Sequence, residues 1–561
     1  MKRVLFVAPN DVPRNDYGFT PDLLIWPARV APDSSLLPKA GEVVTAASLL
    51  GDEKEIQRCS YQMAHNLWQN TGYFRSVSLL KVLEDALAIV CHEAYLQDIC
   101  AASILERIKA GDSVIIQAPQ PLMYKRLIRQ VENTVGPIDT ITSTAGRDFR
   151  KLISRFRMLK GEARQGWRSI AGALLERLDL DRKWLHILGP VTLPTPPASF
   201  KRKPVLAYSA AAVFSSTMLV YRDMLGEWSP VVNGAAAARP FQRQGVPFRY
   251  IWEYRKGNPF PEEQIHEHIT ALMEEVGGQP AKQLLAEMGC IDHWRRYALP
   301  EVARLVCMFE RMVDDLAPEK IVVANQGSSH EAVLLELTRQ RNIPSLMLQH
   351  GVFGNDFLDY QPLRTDELWV RGQFWYDIMP TETKKHTRVV GNKKNKHTAP
   401  RRRDAIIFFS APVNNSPFMN IDEHRELVQC CQKAACALGR QFVVRVHPRE
   451  NPSVYSKWLG GMSSPYHRVE QGGPIEALLD QARMVITFSS TLFMDCLHRS
   501  IPLISFEWHP FRYKDRFEEQ KIFLFARSLA HLEQLMAMVD ADPEAFGCQL
   551  STKANLFDIH H

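Results

Sequence analysis

The sequence predicts an α/β protein of doubly wound parallel sheets, on three observations. The chain has 561 residues, beyond the ~250–300 at which a single hydrophobic core stops growing, so two or three domains are needed. After the basic, proline-containing stretch KKNKHTAPRRR (Lys393–Arg403), short apolar strands alternate with helical segments. The same alternation fills Lys203–Asn392, and such alternation argues sheets with helices on both faces.

In the last third, AIIFFS, QFVVRV, RMVITF and PLISF read as buried strands, separated by the helices EHRELVQCCQKAACAL, PIEALLDQA and SSTLFMDCLHR and closed by LAHLEQLMAMV. In the middle, PVLAYS, SPVVN, PFRYIW, KIVVAN, PSLMLQ and ELWV read as strands, with PEVARLVCMFERMV and HEAVLLELTRQ as helices. Residues 1–200 supply at least the strands RVLFVA, SVIIQA and IDTITS. Their pattern leaves open whether they form a lobe of their own or complete the middle sheet. The expected boundaries are therefore 1–200, 201–392, a linker at 393–404, and 405–561.

Composition narrows the class. Hydrophobic, charged and aromatic contents of 45%, 23% and 9% are those of a soluble globular protein, neither disordered nor fibrous. The ten cysteines form no CxxC pair and no group with histidine at zinc-ligand spacing, so reduced, mostly buried thiols are expected. The apolar run in MKRVLFVAPNDVP is too short for a signal peptide. The longest apolar candidate, LLKVLEDALAIVCHEAYL, is broken by Lys81, Glu84, Asp85 and Glu93 and reads as a core helix, not a membrane span. A cytoplasmic protein is expected.

The net charge of +6 is mild, but its distribution is uneven. Arg147–Arg168 carries eight Lys/Arg against two acids, with Phe149, Leu152, Ile153, Phe156, Leu159, Ala163 and Trp167 at helical spacing. This is a basic amphipathic helix, suited either to an anionic membrane surface or to packing on residues 1–140 with its arginines in water. The basic tracts lack interleaved aromatics and any known nucleic-acid module, so no nucleic-acid partner is expected.

Open α/β sheets bind ligands at the carboxyl ends of their strands, so chemistry is sought in the loops that follow strands. In VVRVHPRE a buried strand ends in Arg445, His447 and Pro448, the proline ending the ladder and leaving an imidazole able to donate to a phosphate. The plain alternative is a histidine that caps the strand and packs. In VITFSSTLFMDCLHR a strand runs into Ser489, Ser490 and Thr491 at a helix start, where hydroxyls, free N–H groups and the helix dipole make an anion site. Ordinary N-capping would use the same residues.

These two segments resemble the HP and serine motifs of bacterial GT-B glycosyltransferases of surface polysaccharide assembly, among them CMP-Kdo and CMP-sialic acid transferases and, more remotely, CDP-glycerol polymerases. The resemblance covers roughly residues 205–540. It implies two Rossmann-like domains facing a cleft, with an extra N-terminal α/β region, and it implies that His447, Ser489, Ser490 and Thr491 grip the donor's phosphate and cytidine. Asp495 stands where related enzymes often have glutamate, which leaves a ribose-binding role there open. IPSLMLQHGVFGNDF looks like the QHG segment of the same enzymes, with Gln349, His350 and Gly351 after a strand and Asp356 in the following loop.

The expected activity is inverting transfer of a sugar, Kdo or a sialic-acid-like sugar from a CMP donor, onto a bacterial surface glycan or a lipid-linked acceptor. Such transfer needs a base for the acceptor hydroxyl and groups that stabilise the leaving phosphate. Arg445, His447, Ser489, Ser490 and Thr491 are expected to clamp the leaving group. His350 is the first choice of base, followed by Asp356 and by Glu331 of VVANQGSSHEAVLLEL, a loop that also presents Gly327. Ser328 and Glu331 have the spacing of a helix capping box as well. No DxD lies in a strand-end loop, since Asp314–Asp315 falls in helical sequence, so no metal is expected and the nucleotide sugar is a substrate rather than a cofactor. Peripheral attachment to the inner membrane would follow from the basic segment. A CDP-glycerol-type phosphotransferase, a nucleotide-sugar epimerase and a non-catalytic sugar-binding subunit remain the rival readings.

Overall fold

The computed structural model describes residues 200–255, 262–275, 294–351, 362–391, 404–410, 421–447, 450–473, 475–487, 492–506, 522–551 and 553–557. It also describes the N-terminal elements named next, residues 106–108, 112, 136 and 138 beside them, and eight further residues between 59 and 520. The basic segment Arg147–Arg168 and the linker 393–403 lie outside the described residues. By contact density the chain divides into two compact units, residues 1–216 with 225–346, and residues 217–224 with 347–561.

The N-terminal region has a sheet of its own and does not complete the middle one. Strands β1 (Arg3–Val7), β2 (Leu23–Trp26) and β3 (Glu42–Thr45), a hairpin β4–β5 (Tyr73–Phe74, Val77–Ser78), helix α1 (Glu84–Leu105), β6 (Ser113–Ala118), α2 (Lys125–Val135) and β7 (Asp139–Thr142) follow in order. The sheet runs β3-β2-β1-β6-β7, and its four strand pairings are all parallel. Phe6 and Val114 from the strands pack with Cys100, Ala101 and Ile104 of α1 and Leu127 and Val131 of α2. The Arg126 guanidinium meets both Asp98 oxygens at 2.7 and 3.0 Å, tying α2 to α1.

The middle sheet comprises β8 (Val205–Ser209), β9 (Trp228–Val232), β10 (Arg249–Tyr250), β11 (Lys320–Val323), β12 (Ser345–Leu348), β13 (Glu367–Val370) and β14 (Thr387–Val389), in the order β10-β9-β8-β11-β12-β13-β14. Its helices include α3 (Ala212–Val220), α4 (Ala235–Arg243), α5 (Leu299–Leu316), α6 (Ser329–Gln340) and α7 (Gln373–Asp377). The strand expected over PFRYIW is shorter than the pattern suggested. Glu253 Oε1 takes the Tyr250 N–H at 3.1 Å, and Ile251–Arg255 coils into a 3₁₀ turn.

The last sheet comprises β15 (Ala405–Phe409), β16 (Gln441–Arg445), β17 (His467–Glu470), β18 (Ala482–Thr487), β19 (Leu503–Phe506) and β20 (Leu524–Ala526), in the order β17-β16-β15-β18-β19-β20. Helices α8 (Ile421–Ala437), α9 (Pro452–Leu459), α10 (Leu492–His498), α11 (Leu529–Ala541) and α12 (Ala554–Phe557) accompany it. Every residue of β15 is buried, as suits a central parallel strand covered on both faces. Ile406, Phe408, Phe442, Val444, Met484 and Ile486 pack under Leu427, Val428 and Cys431 of α8 and Leu532, Met536 and Val539 of α11. Each such large side chain, fully buried, contributes about 1.5–3 kcal/mol.

The fold is thus α/β, built of parallel Rossmann-like sheets. Among the described residues no helix is long and apolar enough to cross a membrane.

Candidate functional site

Winding order locates the candidate sites. Counted from β15, the last sheet runs third, second, first, fourth, fifth, sixth, so its direction of winding reverses between β15 and β18. Counted from β8, the middle sheet reverses in the same way between β8 and β11. The crevice outside the carboxyl ends of such a strand pair is where open α/β sheets take ligands.

In the last sheet Ser410 directly follows β15 and β18 ends in the buried Thr487, while His447 follows β16, the neighbour of β15. The His447 turn is closed by the Glu450 N–H, which donates to His447 O at 2.9 Å. A side-chain network then fixes it. His447 N donates to Ser410 Oγ at 2.8 Å, Ser410 Oγ donates to Glu450 Oε2, and Tyr455 Oη donates to Glu450 Oε1 at 2.9 Å. His424 Nε2 lies 2.9 Å from Tyr455 Oη, and Gln471 Nε2 donates to the carbonyls of His447 and Glu450 at 2.9 and 2.8 Å.

Local sequence explains these positions. Asn451 caps α9 by accepting the Ser453 N–H at 3.0 Å, and Pro452 starts the helix. Tyr455 is thereby set in the first turn, within reach of Glu450. Burial, followed by the Glu450 charge, pushes the Tyr455 phenol well up, so it remains a hydrogen-bond donor. His424 is fully buried and packs edge-on to Tyr455 and Trp458.

Arg445 has a more specific role than the sequence indicated. Its guanidinium donates to the carbonyls of Gly472 and, at 2.8 Å, Gly473. Both glycines sit at positive φ, 81° and 79°, a conformation that costs glycine little and other residues more. Burial lowers the Arg445 pKa and Glu470 partly restores it. The loop after β17 is thus pinned to the end of β16, beside the reversal point. Asp495 is half-buried on α10. Pro448, Ser489, Ser490 and Thr491 lie outside the described residues.

In the middle sheet the reversal point is polar and buried. Tyr208 Oη, near the end of β8, lies 2.8 Å from His330 Nδ1, and Asn233 Nδ2, just past β9, lies 3.4 Å from His330 Nε2. Burial lowers the His330 pKa to about 4 and raises that of Glu331 to about 8, so both groups are neutral near pH 7. Glu331 takes part in the cap of α6. Ser328 is the N-cap of α6, accepts the Glu331 N–H at 3.5 Å, and donates its hydroxyl to Glu331 Oε2. Glu331 is also wholly buried, with Oε1 lacking a hydrogen-bond partner. Gly327 belongs to the preceding turn, its N–H donating to Asn325 Oδ1 at 3.2 Å.

Of the QHG segment, Gln349 is buried and its amide is committed to backbone. Nε2 donates to Gly351 O at 3.0 Å and Oε1 accepts the Arg371 N–H at 2.8 Å. Gln349 therefore ties the Gly351 carbonyl, just past β12, to the Arg371 N–H, just past β13. His350 is half-buried and Gly351 buried just beyond β12, while Asp356 lies outside the described residues. Sequence reasoning missed Tyr208, Asn233, His330, Ser410, Glu450 and Tyr455. Tyr208 and Asn233 lie at or just past strand ends and His330 at a helix start, a signal that could have found them; Ser410, Glu450 and Tyr455 are picked out only by their contacts in the fold. Among the described residues no group of three or more His, Cys, Asp or Glu is arranged to hold a metal ion.

No family model and no curated protein matches the chain. Among solved structures it is similar to S. aureus MnaA in a co-structure with UDP, at 10% identity and a TM-score of 0.43, over 63% of this chain and 92% of that one. It is similar to UDP-GlcNAc 2-epimerase from Neisseria meningitidis bound to UDP-GlcNAc, at 9% identity and a TM-score of 0.41, over 63% and 96%. It is also similar to MurG of Acinetobacter baumannii, at 9% identity and a TM-score of 0.37, over 62% and 94%.

Proposed function

We propose that this chain is an inverting GT-B glycosyltransferase that binds the phosphate and nucleotide of a sugar donor at the reversal point of its last sheet. The observation that carries the reading is the His447 turn, wired to Ser410 just past β15, the strand at which the winding reverses. In the reaction the anomeric carbon's bond to the phosphate oxygen breaks as its bond to the acceptor oxygen forms. The nucleotide leaves with the electron pair, and the acceptor's proton goes to a base. His447 and Arg445, with the hydroxyls of Ser489, Ser490 and Thr491, would meet the charge developing on the leaving phosphate. Side chains suffice for that task, so the reaction is proposed to need no metal ion.

The HP and serine motifs favour a CMP-linked donor carrying Kdo or a sialic-acid-like sugar, with a surface glycan or lipid-linked glycan as acceptor. Thermal shift against CMP, CDP, UDP and GDP tests the nucleotide, since a ligand of the folded state alone stabilises by RT ln(1+[L]/Kd). Stabilisation by CMP, followed by CMP release from a CMP-sugar only when acceptor is added, is expected. Indifference to all four nucleotides would overturn the proposal, and conversion of a nucleotide sugar without acceptor would indicate an epimerase.

A further inference from the structure

We infer that Glu450, Ser410 and Tyr455 are positioning residues of the donor site, acting on it through His447. This rests on the donor-site reading above and adds residues that no motif marks. The direction of the protons around Glu450 follows from its chemistry, since a carboxylate only accepts. Tyr455 has one hydroxyl proton and gives it to Glu450 Oε1, so towards His424 the phenol oxygen accepts and His424 carries its proton on Nε2. Ser410 gives its only hydroxyl proton to Glu450 Oε2, so its oxygen accepts the His447 N–H. Two donor chains therefore converge on one carboxylate, from the buried His424 on one side and from the His447 backbone on the other.

This convergence has a mechanical consequence. A serine hydroxyl alone rotates freely and can offer either a proton or a lone pair to a neighbouring backbone. With Glu450 taking its proton, Ser410 can present only a lone pair to His447. Tyr455, held in α9, in turn fixes the carboxylate. Gln471 adds a third tie, donating to His447 O and Glu450 O from just past β17. The turn that carries the imidazole is thus fixed by side chains just past β15 and β17 and from α9.

Replacing Glu450 by Gln puts an N–H₂ where one hydroxyl now donates, so either Ser410 or Tyr455 must turn round. If Ser410 turns, its two lone pairs go to the amide and to the His447 N–H, and its hydroxyl proton loses the carboxylate that fixed it; if Tyr455 turns, the His424 tautomer changes. Tyr455→Phe and Ser410→Ala break the network at two other points without adding bulk. Each variant is expected to weaken CMP binding about tenfold, the loss typical of a hydrogen bond to a charged group. A merely structural role would give a similar loss, so the deciding measurement is a double-mutant cycle with His447→Ala, read by titration calorimetry with CMP and, in parallel, UDP.

If the network acts through His447, Glu450→Gln and Ser410→Ala cost affinity in the wild type and nothing further in the His447→Ala background. Equal losses in both backgrounds would overturn the inference, as would wild-type affinity in Glu450→Gln and Ser410→Ala. If Glu450→Gln does not fold, Ser410→Ala carries the cycle alone. His447→Ala binding nucleotide like the wild type would instead overturn the donor-site reading, an outcome separate from the other two.

Discussion

The phenol oxygen of Tyr208 lies 2.8 Å from Nδ1 of His330 inside the middle sheet, and the next residue along α6, Glu331, is a wholly buried acid. Histidine and acid are shifted in opposite directions by the same cause, burial. The folded pKa of His330, about 4, is below its ordinary 6.5, so its contribution to stability is lost as pH falls from 6.5 towards 4. The folded pKa of Glu331, about 8, is above its ordinary 4.5, so the folded state holds the extra proton and stability is lost as pH rises from 4.5 to 8. Between about 4.5 and 6.5 the two slopes cancel. Above 6.5 only Glu331 acts, at about 1.4 kcal/mol per pH unit, or about 2 kcal/mol by pH 8. Urea unfolding between pH 6.5 and 8 should show that decline in the wild type and lose most of it in Glu331→Gln. A variant with the wild-type slope would mean the acid is already ionised.

Tyr208→Phe should destabilise by about 1–3 kcal/mol, because it leaves His330 Nδ1 buried without its partner while keeping the ring that packs edge-on to Phe309. Thermal or urea denaturation measures this. Equal stability of wild type and variant would mean another group satisfies the imidazole.

His447→Ala should fold normally and lose donor affinity and turnover, with about 2.7–4 kcal/mol added to the barrier if the imidazole meets the leaving phosphate. Calorimetry and steady-state rates on a variant of unchanged melting temperature decide it. Full activity would leave His447 as a strand cap.

Transfer should survive EDTA, because the proposed leaving-group clamp consists of side chains and helix N–H groups. Loss of activity with chelator and recovery on adding Mg²⁺ or Mn²⁺ would reject the metal-free mechanism.

Gly372→Ala should be poorly tolerated, since a Cβ there would come within 2.7 Å of Phe557 O and collide with the Leu556 carbonyl. The α7–α12 contact it disturbs also holds the Trp375 indole N–H on Phe557 O at 2.8 Å. A loss of about 1–3 kcal/mol is expected from such overpacking, visible as a lower melting temperature.

What was legible in the sequence follows from burial. Central parallel strands covered on both faces, such as Ala405–Phe409 and Ser345–Leu348, are apolar or nearly so throughout and are legible directly. Edge and near-edge strands carry polar residues and run short, so His467–Glu470 and Thr387–Val389 gave no comparable signal. Leu23–Trp26 and Glu42–Thr45 are short segments among prolines and polar residues and were passed over in the same way. His447 was legible because a strand, a histidine and a proline are adjacent in sequence. Its partner Ser410 was not, because the two meet only when β15 pairs with β16.

The reversed winding also sets the order in which the chain can complete itself during synthesis. The first strand of each sheet is a central one, and its second neighbour arrives late. Val205–Ala207 of β8 must wait for Lys320–Val322, and Ala405–Phe409 of β15 for Ala482–Thr487. In the interval one edge of each first strand has no strand to pair with, and its apolar side chains, Leu206 and Tyr208 or Ile406 and Phe408, lack part of their cover. Unpaired apolar edges of this kind fold slowly and are prone to aggregate. Slowed translation or a holding chaperone should therefore matter most while residues 210–320 and 410–482 are being made.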